Sequence, residues 1–319
     1  MSSVTSYLGF DSPLYILSFD QRRSPLGVAV PEEMLTPEQM GAIESAKSQI
    51  ALAKYIIYDG FRAAVTAGVP QSKAGVLVDE RFGADILRDA VACGYHTAYP
   101  VEKVRHDEFD FEYGKDFSKH IEDFQPTFCH AQVRYSPRGD RNRRQSDRLK
   151  ILSDYLHGTG RRRTFFMLEL LVPAEKVQLA RIDESRSTSE SEIRPQLIIQ
   201  AVHELQGAGV EPDVWQIAGI NCRDDYKKLI VAVRCDGRDK VGCIIGDEGH
   251  DENSIGESLI TGASVPGIVG FAVGPSLFAE PLTQWGTRRT AHKTAATEIA
   301  QRYKALVTIF ESRQLQDVV

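Results

Sequence analysis

The sequence predicts an α/β protein, a closed (β/α)8 TIM barrel in a single domain. Three observations predict it. Eight short, apolar, β-rich runs recur along the chain, and helix-period segments lie between them. No run is followed by a glycine-rich nucleotide turn or a phosphate-loop lysine, the marks of an open doubly wound sheet. A chain of 319 residues with no Gly- or Pro-rich linker is long enough for one large core, so the expected domain spans 1–319 with the barrel at about 14–311.

The runs are LYILSF from Leu14, AGVLVD from Ala74, HTAYPV from His96, FCHAQVRY from Phe128, TFFMLELLV from Thr164, DVWQIAGI from Asp213, VGCIIG from Val241 and GIVGFAVG from Gly267. Each is nearly continuous in apolar residues, as parallel strands buried on both faces require. Helical periodicity fills GADILRDAVACG, DRLKILSDYLHG, PQLIIQAVHELQGAG and DDYKKLIVAVR between strands, and TAATEIAQRYKALVTIF at the end. The barrel is expected from about Tyr15 to Ser276, with the helix through Tyr303–Phe310 packed outside it. The acid- and serine-rich RIDESRSTSESEI after the fifth run reads as an exposed loop, with a lid as the alternative.

Hydrophobic residues make up 42% and charged residues 26%, the balance of a soluble globular chain. A formal net charge of -6 argues against nucleic acid as a partner. RGDRNRRQSDR is basic but has no interleaved aromatics and reads as a solvated loop. Five scattered cysteines without a C-x-x-C pair fit reduced thiols in a cytoplasm rather than a disulfide framework or a zinc site. The first residues lack a basic n-region with a long apolar stretch behind it, and no run is long enough to span a membrane, so neither export nor membrane insertion is expected.

In such a barrel the chemistry gathers where the strands end at their C-terminal face. The first strand delivers Asp20 and Arg22, the second Asp79 and Glu80, the third Glu102 and the fourth Arg134. The fifth carries Glu169 among apolar neighbours, where a carboxylate is costly unless paired, and its expected partner is Arg134 or Arg22. The sixth gives Gln216, the seventh Asp247, Glu248, His250 and Asp251, and the eighth Ser276. Singly, each charge reads as a structural salt bridge or a cap. Their convergence on one barrel end is the usual look of an active site.

The motifs LYILSFDQR, YIIYDGFRAAV, GVLVDERFGADIL, PVEK, FEYGKDFSKHIEDFQP, VRYSPRGDRN, FFMLELLVP, RPQLIIQAVHELQGAGVEPDVWQI and VGFAVG, covering about Leu14 to Glu311, resemble the domain fused to bacterial 5-dehydro-2-deoxygluconokinase. That domain is assigned as a 2-deoxy-5-keto-gluconate 6-phosphate aldolase of inositol catabolism and is similar to tagatose-bisphosphate aldolase barrels. The resemblance implies the barrel and an aldolase-type lyase. It also implies a Schiff-base lysine on the sixth strand, where this chain has Gln216, and a glutamate where it has Ala218. His130 stands at the position of a family lysine on the fourth strand, and the loops after strands seven and eight have Asp247, Glu248 and Pro275 where the family has a glycine and two arginines.

An amide cannot form an iminium, and a Schiff-base amine must be desolvated beside the substrate carbonyl. Lys54, Lys150, Lys227 and Lys228 fall in helical patterns, Lys240 enters the seventh strand at the wrong end, and only Lys103 follows a strand's C-terminus. Exchanging arginines for carboxylates repels a phosphate dianion, so the acidic loop is expected to suit an amine better, and no metal or other cofactor is expected.

The leading expectation is a diverged lyase in a specialised biosynthetic pathway, working by elimination or intramolecular displacement on a small polar, amino-bearing substrate. Closure of a small nitrogen ring such as an aziridine is one form of this. Glu169, Asp20 and Glu102 are the candidate catalytic acids and bases. Arg22, Asp79, Glu80, Arg134, Gln216, Asp247, Glu248 and His250 are the candidate substrate-binding residues. The alternatives are a genuine sugar-acid or ketose-phosphate aldolase using Lys103 or a metal, and a non-catalytic barrel subunit of a complex. The expected partners are a small-molecule substrate and a second subunit or further copies of the chain.

Overall fold

The computed structural model describes residues 8–21, 37–104, 108–139, 141–158, 164–173, 190–247 and 252–316. Its centre is a closed barrel of eight parallel strands in sequence order, β1 next to β2 and so on to β8, which pairs back onto β1. The strands are β1 (Leu14–Ser18), β2 (Ala74–Leu77), β3 (His96–Pro100), β4 (Phe128–Arg134), β5 (Phe165–Leu171), β6 (Val214–Ala218), β7 (Gly242–Gly246) and β8 (Ile268–Val273). All eight fall on the apolar runs read from the sequence. Around them lie α1 (Pro37–Thr66), α2 (Glu80–Ala92), α3 (Phe117–Phe124), α4 (Asn142–His157), α5 (Glu190–Gly207), α6 (Arg223–Val233), α7 (Glu252–Gly262), α8 (Pro275–Gly286) and α9 (His292–Gln316).

Strand alternation divides the core in two. Leu14, Ile16, Leu77, Ala98, Phe128, Met167, Val214, Ile244, Val269 and Ala272 fill the barrel interior, with Phe10 and Phe165 packed against them. Tyr15, Leu17, Val76, Tyr99, Cys129, Leu168, Trp215, Ile245 and Phe271 face outward into the helical layer. Phe10 sits edge-on to Phe128 and Phe165 at the entry end of the strands. Asp213, just before β6, ties that end together: its carboxylate accepts from the Gly9 N–H at 2.7 Å and the Phe166 N–H at 2.8 Å, and lies 3.0 Å from His157 Nε2.

Closure depends on one glycine. Gly270 pairs with Leu14 across the β8–β1 seam, and a Cβ there would lie 1.7 Å from the Leu14 carbonyl oxygen. Outside that seam α9 packs on α1, and the buried Tyr303 hydroxyl donates to the Tyr15 carbonyl at 2.8 Å. The helix through Tyr303–Phe310 therefore lies outside the barrel, where the sequence puts it.

The basic run 138–148 mostly forms the start of α4 and is answered by acids: Arg144 is 2.7 Å from Glu108, and Arg148 is 3.7 Å from Asp110. The acid- and serine-rich stretch after β5 lies largely outside the described residues. All five cysteines are unpaired thiols, and among the described residues no helix is long and apolar enough to cross a membrane.

Candidate active site

The inward row of β4 reads Phe128, His130, Gln132, Arg134, one side chain every second residue. Phe128 and His130 are buried, while Gln132 and Arg134 are exposed, so the strand climbs from the apolar interior to an open mouth at its C-terminal end. On β5 the same face carries Met167 and then Glu169, which is 9% exposed, and on β6 it carries Val214 and then Gln216, which is 3% exposed. Register places Gln132 opposite Glu169, and Glu169 opposite Gln216. The sequence puts Glu169 inside the barrel; the register decides which neighbours it meets.

Among the described residues those neighbours are polar, and Arg134 is not one of them. Gln132 Nε2 donates to Glu169 Oε2 at 2.7 Å, and His130 Nε2 lies 3.5 Å from the same oxygen. Arg134 stands at the exposed rim, opposite Leu171, and makes no ion pair with Glu169. Arg22, the other expected partner, lies outside the described residues. On its other edge His130 Nδ1 lies 3.8 Å from Glu102 Oε2, and Glu102 also accepts from the Gln132 backbone N–H at 3.3 Å. A single imidazole, 1% exposed, thus stands between two glutamates.

The protonation of His130 follows from that placement. Burial by itself pushes the ring's pKa down, because it penalises the charged form. The two flanking carboxylates outweigh this and raise it from 6.5 to about 10. The two glutamates act on the ring from 3.8 Å at Nδ1 and 3.5 Å at Nε2, ion-pair distances at the long edge of hydrogen bonding. Gln216 Oε1 is buried with no hydrogen-bond partner among the described residues, and the Gln216 side chain lies across Gly246. Trp215, on the opposite face of β6, is fully buried among the outer helices.

Other candidate residues are held in the wall. Asp79 is the N-cap of α2, accepting from the Phe82 N–H at 3.0 Å, and its second oxygen meets Lys54 Nζ from α1 at 2.5 Å. Lys54 also donates to the Phe19 carbonyl, and both members of the ion pair are buried. Glu80 accepts from the Tyr99 hydroxyl and lies 3.0 Å from His120 Nδ1; Tyr99 faces outward, so this carboxylate serves the wall rather than the floor. The sequence does carry a signal for both acids, since Asp followed by Glu at a helix start is a capping pattern. Asp20, two residues beyond the last residue of β1, is half-buried.

At the strand-seven and strand-eight end, Asp247 Oδ2 accepts from Ser276 Oγ at 2.6 Å and from the backbone N–H groups of Gly274 and Ser276, each at 3.2 Å. A carboxylate of the chain itself therefore occupies the N-terminus of α8, the place where a barrel of this kind offers its N–H groups to an anion. Glu248, His250 and Asp251 lie outside the described residues. No group of His, Cys, Asp and Glu among the described residues forms a metal site.

Residues 14–314 match the family model "Uncharacterized protein conserved in bacteria (DUF2090)". The chain belongs to this family. No curated protein matches the chain. Among solved structures, the DUF2090 chain is similar to fructose-bisphosphate aldolase of Plasmodium falciparum, solved with TRAP and a small-molecule inhibitor. The TM-score is 0.59 at 11% identity, over 97% of this chain and 93% of the other. It is also similar to Cgl0159 of Corynebacterium glutamicum, with a TM-score of 0.53 at 14% identity, over 93% and 88% of the two chains. At these identities the likeness shows the barrel. The matches extend to the DUF2090 family and the barrel fold, and none of them is to the kinase-fused domain.

Two residues of the DUF2090 site escape a reading by strand ends. His130 is the third residue of its strand rather than the last, and Lys54 belongs to a helix that reaches back to the barrel top. The signal for His130 was present as parity, since it shares the inward face with Phe128. The signal for Lys54 was its place among apolar helix neighbours.

Proposed function

We propose that this barrel is a lyase that works by acid–base chemistry without a Schiff base. It would catalyse elimination or intramolecular displacement on a small polar substrate that carries an amine, in a biosynthetic pathway of the bacterial cytoplasm. The observation that carries the reading is the inward polar row Gln132, Glu169, Gln216 with His130 and Glu102 beside it, set at the open end of an otherwise apolar barrel. Glu169 has the reach of a general base and is oriented by Gln132. Glu102 and Asp20 add negative charge at the same end, which favours an ammonium or amine group. Gln216 Oε1, a buried acceptor with no hydrogen-bond partner among the described residues, supports the binding of a substrate N–H or O–H.

Aldol chemistry through an iminium needs a desolvated, uncommitted amine. Lys103 is exposed, and Lys54 is engaged by Asp79 and the Phe19 carbonyl. A phosphorylated substrate in the usual pose would have to displace Asp247 from α8. A second reading, a non-catalytic barrel acting as a subunit of a complex, has its own support: Asp79, Glu80 and Asp247 are all held by groups of the protein. The inward placement of His130 between two glutamates, with the buried Gln216 Oε1 nearby on the same face, favours the first reading.

The test is an untargeted metabolite comparison between a strain lacking the protein and its parent, followed by incubation of the accumulated compound with the purified protein. Conversion by elimination or ring closure supports the proposal. No conversion, with or without added divalent metal, favours the subunit reading.

A further inference from the structure

We propose that His130 is the general acid of this site: it protonates a leaving group that departs through oxygen and recovers its proton from Glu169. The inference rests on the acid–base reading above and adds to it the residue that completes the proton cycle.

The geometry carries the argument. His130 sits on the floor of the mouth with Glu102 facing Nδ1 from beyond β3 and Glu169 facing Nε2 from β5. Gln132 and Arg134 stand above it on its own strand, and Gln216 lies one strand beyond Glu169. A ring flanked by two carboxylates is held as the imidazolium, so both nitrogens carry protons, and each faces a glutamate at 3.5 or 3.8 Å, beyond the usual hydrogen-bond length. At 3.5 Å from Glu169 the Nε2 proton is held by charge more than by a short hydrogen bond, so it can pass to a closer oxygen. A leaving-group oxygen placed at the Nε2 edge would be that closer acceptor. Gln216 Oε1 is a buried acceptor with no hydrogen-bond partner among the described residues, so the two residues offer one donor and one acceptor to a single small molecule.

The step balances without a further reactant. Glu169 takes a proton from the nucleophile, an amine N–H or the C–H of an elimination. The electron pair of that broken bond forms the new C–N or C=C bond. The C–O bond to the leaving group breaks with its electrons on oxygen, and that oxygen takes the Nε2 proton of His130. Glu169 now holds a proton and Nε2 is bare, 3.5 Å apart in the resting site, and transfer from one to the other restores both. Glu102 faces the Nδ1 proton on the far side, so the ring is neutral after the transfer and charged again once Glu169 has returned the proton.

The test uses three proteins, wild type, His130→Gln and Glu169→Gln, with the compound that accumulates in the strain lacking the protein. In the wild type with 15N-labelled histidine, both ring nitrogens of His130 should stay protonated well above pH 7, and Glu169→Gln should move the titration down. His130→Gln should keep the fold and lose about 10²–10⁴-fold in turnover. Its residual activity should lack the alkaline limb of the wild-type pH profile, which a merely structural role would leave in place. A His130 that titrates at the ordinary histidine value, or a folded His130→Gln protein that keeps most of the wild-type rate, overturns the proposal while leaving the acid–base reading intact. Absence of turnover by the wild-type protein overturns that reading, and the role of His130 with it. If His130→Gln does not fold, the nitrogen titration and the alkaline limb of the wild type decide.

Discussion

Asp247 Oδ2 accepts a 2.6 Å hydrogen bond from Ser276 Oγ and covers the first N–H groups of α8 with its own charge. Inorganic phosphate and sugar phosphates should therefore leave the melting temperature of the wild-type protein unchanged. Asp247→Ala removes a cap-like contact and should cost about 1 kcal/mol in a denaturant titration. Clear stabilisation of the wild type by phosphate would mean that Asp247 yields its place readily.

Glu169 is oriented by Gln132 and faces His130. Glu169→Gln keeps the shape and a hydrogen-bonding group, so circular dichroism should be unchanged while turnover falls by at least 10²-fold. Retained turnover would remove Glu169 from the mechanism.

Gln216 buries an acceptor that has no hydrogen-bond partner among the described residues. Gln216→Leu should leave the unfolding midpoint unchanged or slightly raised, since it removes an unmet polar group at similar volume. Activity should fall sharply. A variant that loses stability in step with activity would instead mark Gln216 as a packing residue.

The Lys54–Asp79 pair is buried on both sides. Lys54→Met strands the Asp79 carboxylate and should cost about 3–5 kcal/mol. Adding Asp79→Asn, which keeps the N-cap of α2 without the charge, should recover a large part of that loss. Equal stability of the single and double variants would show that the two side chains are not coupled.

His130 gives stability a defined pH dependence. The folded protein holds this proton with a pKa of about 10, against an ordinary value of 6.5. Its stabilising contribution is therefore fully present below about pH 6.5 and is lost progressively up to about pH 10, with a slope approaching ~1.4 kcal/mol per pH unit. His130→Gln should flatten that slope in urea titrations at a series of pH values. An identical slope in both proteins would show that the flanking glutamates do not hold the proton.

The barrel was legible because each strand is an apolar run and each helix keeps its own period, so all eight runs became strands in order. Inward placement was legible by parity for Glu169 and Gln216, two residues beyond Met167 and Val214. Pairings were not. Glu169 meets Gln132 and His130 rather than Arg134 because β4 and β5 pair in a register no local pattern encodes. Glu80 turns to Tyr99 and His120, and Lys54 reaches Asp79 from a helix, through contacts between residues about 20 to 40 apart in sequence. The loss of the sixth-strand lysine, by contrast, was plain from one letter, Gln216.

Borohydride trapping decides whether the chemistry proceeds without an iminium. The purified protein is incubated with the compound it turns over, reduced with borohydride and weighed by intact mass spectrometry. The mass should be unmodified, because Lys54 is committed to Asp79 and Gln216 cannot form the adduct. A stoichiometric adduct mapped to any lysine, Lys54 and Lys103 included, would contradict it.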